Sequence, residues 1–376
     1  MRTAAALALL GALGPFARWD WNEFDARARK ARTPEAVAEL EKDAFAPVDD
    51  RRWSVDRGMT IGSIVHAWQR VGRPADAVRV VERLRTEVAP RESSAYIDVD
   101  AVSAEADYAD ALAYAGRLDD ALAAANRVIE RASSPHFLNG VDDGPNWVMV
   151  GVEMMARIHE RRGAYAEALS FYERWRGTSY RFRDVQLAQR GTCIARCRWK
   201  LGQNEAALDL AFDTALSKFQ AAPFDDPFTT ACEIAVRTGQ LDRLRRRIDG
   251  VVDAEKRLRF ERAFAVVTAL AKKDAKALLD ALGPSPARPD MARILMPGES
   301  EFVVKCLREI GPAGVGELLA RIRCGDERVL ELLGWAYVPE ALPALRERRG
   351  VAGITKSEMR NVDYAIESIE SAIPPR

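Results

Sequence analysis

The feature that most constrains this 376-residue sequence is a short phrase that begins with glycine and occurs five times. The copies start at Gly72, Gly116, Gly163, Gly202 and Gly239. An alanine follows five residues later in four of the five copies, and a small residue, valine or cysteine lies seven residues before each glycine. Glycine adopts the left-handed conformation that ends many helices, and small side chains let two helices approach closely. The phrase therefore predicts an αα-hairpin built five times.

A single hairpin cannot bury its apolar stripe alone, so neighbouring hairpins have to stack on one another. Apolar residues make up 48% of the chain and charged residues 30%, which is the balance of a soluble folded protein. The length exceeds that of one compact domain, but a repeat array has no such limit. The sequence predicts an all-α fold, an α-solenoid of stacked antiparallel helix pairs.

The phrase and its spacing resemble the tetratricopeptide repeat (TPR), whose first helix ends at such a glycine. The copy from Gly163 to Trp175 is the nearest match, with Ala156, Tyr165, Ala168 and Tyr172 at the positions that the family uses. The gaps between glycines are 44, 47, 39 and 37 residues. The standard TPR period is 34 residues. The resemblance therefore implies an irregular array.

The sequence pattern changes after Leu282. We predict three segments: a TPR-like domain over 18–282, a linker over 283–289 (GPSPARP) and a HEAT-like helical domain over 290–376. The stretch from Gly311 to Arg349 resembles HEAT repeats, mainly through the sequence EALPALR at 340–346. The helices predicted in this domain cover Ser300–Ile310, Ala313–Ile322, Glu327–Trp335, Glu340–Arg349 and Lys356–Ala372.

The N-terminus has a short positive start, an apolar run from Ala4 to Leu13, and small residues up to Ala17. This pattern favours a secretory signal peptide over residues 1–17, and hence a periplasmic or secreted bacterial protein. The odd number of cysteines, five, is unlike a disulfide framework and favours the alternative, a cytoplasmic protein with an apolar N-terminal helix. No segment reaches the length of a transmembrane helix.

The sequence offers little for catalysis, so we expect no enzyme, cofactor or metal site. It contains three histidines and none in a paired metal spacing. Cys193 and Cys197 share one helix face, but no second ligand pair accompanies them, so we expect them to pack in the core. Hydrolase, P-loop and dinucleotide motifs are absent from the sequence.

In TPR arrays the first helices line a concave groove, and the resemblance implies which positions point into it. Arginine and aromatic residues among them would hold an extended peptide through its carboxylates. The alternative is that the arginines pair with Glu153, Glu160 and Glu233. The predicted groove residues are Arg70, Tyr114, Arg157, Arg161, Arg196, Trp199, Lys200 and Arg237.

The sequence thus favours a non-catalytic scaffold that binds a protein or peptide of unknown identity in this groove. One alternative is a cytoplasmic regulator that senses a ligand or peptide through the same solenoid. Another is a nucleic-acid binder that uses segment 237–276, which holds twelve bases and six acids. The acids interleaved in this segment disfavour binding to nucleic acid. The 56 basic and 56 acidic residues of the chain also leave no net positive charge that would attract it.

Overall fold

The computed structural model describes residues 21–45, 55–88, 95–134, 144–176, 183–216, 227–282, 297–334 and 336–371. In these residues it has nineteen α-helices, one short 3-10 helix and no strand. The prediction of an all-α array of helix pairs is confirmed. The chain divides into two compact units: the N-unit, residues 1–127 with 134–142 and 375–376, and the C-unit, residues 128–133 and 143–374. The predicted signal peptide over 1–17 lies outside the described residues.

The N-unit is a series of hairpins in which each first helix packs on the next first helix. Its first helices are α1, α3 and α5; α1 packs on α3, and α3 packs on α5. The helices are α1 (Trp21–Lys30), α2 (Pro34–Ala44), α3 (Val55–Arg70), α4 (Pro74–Val88), α5 (Ala95–Tyr114) and α6 (Leu118–Ala132), of which the last turn counts with the C-unit.

The C-unit continues the same pattern over thirteen further helices. The first helices α9, α11, α13, α15 and α17 pack in series, and so do the second helices α14, α16 and α18. The helices are α7 (Gly144–Arg162), α8 (Tyr165–Arg174), α9 (Arg183–Lys200), α10 (Asn204–Leu216), α11 (Pro227–Arg237), α12 (Leu241–Asp249), α13 (Ala254–Ala271), α14 (Ala275–Asp280), α15 (Pro297–Ile310), α16 (Pro312–Cys324), α17 (Glu327–Leu333), α18 (Leu342–Arg349) and α19 (Lys356–Ser371). The helices predicted after the linker thus lie where the sequence placed them, within a few residues.

The five predicted glycines are the turns between first and second helices. Their φ angles lie between 70° and 79°, in the left-handed region. The residue after each glycine donates its N–H to the carbonyl five residues earlier, as from Ala164 to His159 at 2.9 Å and from Gln203 to Arg198 at 2.9 Å. This is the hydrogen bond of the Schellman motif, which closes a helix end. A Cβ at these glycines would meet nothing within 4 Å, so the backbone angle, not space, selects glycine.

A sixth turn of the same kind has lysine in place of glycine. Lys273, between α13 and α14, has a φ of 55°. The N–H of Asp274 bonds the carbonyl of Ala269 at 3.0 Å, which is the same five-residue bond. Lys273 lies 34 residues after Gly239, the standard TPR period. The glycine phrase did not predict this hairpin, because lysine stands where the five other turns have glycine.

One apolar core runs through most of the C-unit, from Ala195 to Ile369. Phe260 of α13 is at its centre and contacts Phe212 and Phe228, with both pairs of ring centroids 4.3 Å apart. The predicted linker 283–289 lies outside the described residues, and the helices before and after it share this core. Cys193 and Cys197 are buried in an apolar cluster with Tyr172 and Trp175, which confirms the expected packing role.

Within the part of the chain that the structure describes, every helix is too short or too polar to span a lipid bilayer.

Candidate functional site

Two predicted groove residues, Arg70 and Tyr114, lie on first helices of the N-unit. Arg70 is half-buried at the end of α3 and donates to the carbonyl of Ala28 at 2.9 Å. Its pKa lies below the usual value because of burial and the nearby cations Arg32 and Arg29. Tyr114 is half-buried at the end of α5. Arg70 therefore ties α3 to α1, in addition to any contact it makes with a partner.

Two titratable groups are affected by the charge of Asp110 on α5, namely Asp107 of the same helix and His66 of α3. Burial, with a smaller contribution from the charge of Asp110, raises the pKa of Asp107 to about 6. His66 of α3 is affected in the opposite direction, because burial and Arg70 lower its pKa more than Asp110 and Asp25 raise it. Burial thus disfavours the charged forms of both Asp107 and His66.

In the C-unit, two predicted arginines are held by acids of the first helices. Arg157 and Glu153 pair within α7 at 2.5 Å. Arg196 of α9 pairs with Glu160 of α7, with its Nε 2.9 Å from Oε1. The hydroxyl of Tyr172 donates to the same Glu160 carboxylate at 2.8 Å. Both acids are the partners named in the alternative derived from sequence.

Further along the array, first helices α11 and α15 are joined by two ion pairs. Arg237 of α11 pairs with Glu309 of α15, and Glu233 of α11 pairs with Lys305 of α15. Both helices also contact α13, which lies between them in the chain. Arg237 is therefore engaged within the C-unit, and the partner of Glu233 is a lysine.

The remaining three predicted residues lie in the last turns of first helices α7 and α9, and we call them the Trp199 cluster: Arg161, Trp199 and Lys200. Arg161 and Lys200 are exposed at the equivalent position of α7 and α9, two residues before Gly163 and Gly202. The Lys200 ammonium lies 4.1 Å from the centroid of a Trp199 ring. Neither cation has an acidic partner among the described residues. Trp199 is half-buried, with part of the indole packed on the core.

Several of the basic side chains described in the stretch 237–276 form ion pairs with acids. Arg243 and Arg247 of α12 both bind Asp209 of α10 at 2.7 Å. Arg245 pairs with Asp249, and Arg257 pairs with Glu261. These pairs leave fewer cations for phosphate groups than the sequence count indicated.

A cleft that the sequence analysis did not find opens at the C-terminal ends of α11, α13 and α15. Its volume is ≈ 530 Å³. Its lining residues are Val236, Arg237, Leu270, Ala271, Lys273 and Glu309. The sequence signal that could have found it is the 34-residue spacing from Gly239 to Lys273, which places a hairpin turn at the cleft.

The fold and these residues define an all-α array of consecutive helical hairpins, tied together by ion pairs. The sequence matches no protein-family model, and no curated protein is similar to it. The resemblances to TPR and HEAT repeats stay predictions. Among the residues described, no group of three or more histidines, cysteines or acids could hold a metal ion.

Proposed function

We propose that this chain is a non-catalytic scaffold that binds a protein or peptide segment, and that the Trp199 cluster is the centre of its binding face. The observation that carries the proposal is the pair of exposed cations, Arg161 and Lys200, which have no acidic partner among the described residues, together with the half-buried Trp199 indole beside Lys200. Arginine and tryptophan are the residues most enriched at the energetic centres of protein interfaces.

The surrounding ion pairs support this narrower site. Arg157, Arg196 and Arg237 each have an acid within the chain, so a partner would have to displace Glu153, Glu160 or Glu309 to reach them. The ion pair between Arg196 and Glu160 joins α7 to α9 next to the cluster. Arg196 and Arg237 therefore join first helices to one another, Arg157 is held within α7, and the cluster remains accessible to a partner.

The chemistry of the cluster suggests the kind of segment that binds. Two cations favour carboxylates, and a guanidinium such as that of Arg161 binds a carboxylate with two parallel hydrogen bonds. The indole of Trp199 offers a flat apolar surface to an aliphatic or aromatic side chain. We therefore expect an acidic segment that contains at least one large apolar residue.

The test is selection from a random peptide library displayed against the full chain, followed by titration of the selected peptides. We expect peptides that combine acidic and apolar residues. Arg161→Glu with Lys200→Glu should weaken their binding by about a hundredfold, because two attractive charges become repulsive.

The matched control is Arg246→Glu with Lys276→Glu, which reverses two exposed cations on second helices α12 and α14. This control should change affinity by less than about threefold at physiological salt, since distant surface charges are screened. Equal loss in both double variants, or no loss in the first, would contradict the proposed face.

A further inference from the structure

The cleft at the ends of α11, α13 and α15 combines an apolar floor with one unpaired cation among its lining residues. Val236, Leu270 and Ala271 supply the floor, and Lys273 supplies the cation. We propose that this cleft binds an aliphatic carboxylate, with the carboxylate on the Lys273 ammonium and the aliphatic part on the floor. The site uses none of the Trp199 cluster and does not depend on the proposed function.

The charges around the cleft leave Lys273 available. Arg237 is paired with Glu309 across the cleft. The nearest acid in sequence, Asp274, caps α14 by accepting a hydrogen bond from the N–H of Ala277 at 2.9 Å. No acid among the described residues pairs with Lys273, whose side chain is exposed at the rim. The cleft therefore has a net positive charge of one from its lining residues, Arg237, Lys273 and Glu309.

The backbone carbonyls at these helix ends would repel an anion if they pointed at it unpaired. The carbonyl of Leu270 accepts from the N–H of Lys273 at 2.9 Å, and that of Ala269 accepts from Asp274 at 3.0 Å. At the end of α11, the carbonyl of Ala235 accepts from Gln240 at 2.8 Å. Because these three oxygens are hydrogen-bonded within the turns, the charged groups that line the cleft are the Lys273 ammonium and the Arg237–Glu309 ion pair.

The backbone of Lys273 is the second reason to assign its side chain a role. A residue other than glycine costs free energy in the left-handed region, and the five predicted turns of this chain use glycine there. Residues held in sparsely populated backbone regions cluster at functional sites. Glycine would make the same turn without this cost, but it would remove the one unpaired charge among the residues that line the cleft.

The volume sets the size of ligand that fits. A cleft of ≈ 530 Å³ is within the usual range for small-molecule sites, about 300–1,000 Å³. It accommodates a small branched acid or the last residues of a peptide with a free C-terminus. These two sources share the same chemistry, an anionic carboxylate next to a branched aliphatic group.

The test measures binding to the full chain by ligand-observed NMR with two pairs of probes. Isovalerate is compared with isovaleramide, and N-acetyl-Ala-Ala-Leu is compared with the same peptide amidated at its C-terminus. We expect each carboxylate to bind and each amide to bind at least about tenfold more weakly, because the amide lacks the charge that Lys273 binds. If the peptide binds about tenfold more tightly than isovalerate, the natural ligand is the C-terminus of a peptide chain. If the two bind with equal affinity, the natural ligand is a small branched acid.

The key variant is Lys273→Gly, which should weaken carboxylate binding by about tenfold and leave the fold intact, since glycine suits a φ of 55°. Lys272→Ala removes the neighbouring charge, which does not line the cleft, and should leave affinity unchanged. Lys273→Arg should retain binding. The proposal is overturned by equal binding of acid and amide, by unchanged affinity in Lys273→Gly, or by no carboxylate binding at about 10 mM.

Discussion

At the scale of single residues, the chain shows two positions where the fold opposes the ordinary preference of a side chain. Lys273 holds a backbone angle that suits glycine, and Asp107 holds a carboxyl group where burial disfavours its charge. The first position lies on a cleft, and the second lies one helical turn from Asp110 on the face of α5. Both positions can be tested by single substitutions, Lys273→Gly at the first and Asp107→Asn at the second.

We predict that Asp107→Asn stabilises the protein at pH 7.5 and has little effect at pH 4. The folded pKa of about 6 lies above the unfolded value of about 3.9, so the fold favours the protonated carboxyl. The contribution of this carboxyl group to the free energy of unfolding is fully present below the unfolded pKa and is lost as the pH rises through the folded pKa. Thermal unfolding at pH 7.5 should give a Tm a few degrees higher for Asp107→Asn than for the unchanged chain. This shift corresponds to about 1–2 kcal/mol in the free energy of unfolding.

The control for this prediction is Glu82→Gln, which removes an exposed acid from α4 of the same unit. It should change stability by less than about 0.5 kcal/mol at either pH. An Asp107→Asn protein with an unchanged or lower Tm at pH 7.5 would show that the carboxyl has a stabilising partner in the native state.

Residue-level reasoning from sequence succeeded where one residue type was required and failed where several could serve. The five glycines located five turns, because their left-handed backbone strongly favours glycine. The turn at Lys273 was not predicted, because a lysine can take the same backbone angle at a modest free-energy cost. The sequence also could not decide between partner binding and internal pairing for Arg157 and Arg196, because both roles need the same exposed cation.

At the scale of helices, ion pairs fasten neighbouring hairpins to one another. In the N-unit, Glu105 of α5 is only 1% exposed and binds arginines from both adjacent second helices. Its Oε1 lies 2.7 Å from Arg127 of α6 and 3.4 Å from Arg85 of α4. In the C-unit, Arg321 of α16 reaches Asp280 of α14 at 2.7 Å. These bridges supplement the apolar contacts, which alone do not fix the helix register.

We predict that Glu105→Gln destabilises the protein by about 1–3 kcal/mol, since it removes a buried charge and leaves two arginines without their acid. Asp120→Asn is the comparison, because Asp120 forms an exposed pair with Arg117 at 2.8 Å. That change should cost less than about 1 kcal/mol. Urea denaturation followed by circular dichroism measures both. Equal losses of stability in the two variants would mean that the buried ion pairs of Glu105 stabilise the fold no more than an exposed ion pair does.

At the scale of the whole molecule, the predicted solenoid is a set of hairpins that differ in length and in turn chemistry. The helix pairs could be predicted because each follows local rules of glycine turns and apolar spacing. The core from Ala195 to Ile369 could not, because it depends on which helices meet across the predicted linker. The roles of the predicted groove residues become distinct only in the structure, where Arg157, Arg196 and Arg237 pair with acids and the two cations of the Trp199 cluster have no acid among the described residues.

The central claim is that a peptide binds on first helices α7 and α9. Hydrogen–deuterium exchange of the full chain, with and without a selected acidic peptide, tests this most directly. We predict slower exchange in the last turns of α7 and α9, around Arg161 and Lys200, and no change in second helices α12 and α14. Protection confined to α12 and α14, or no protection at saturating peptide, would contradict the account.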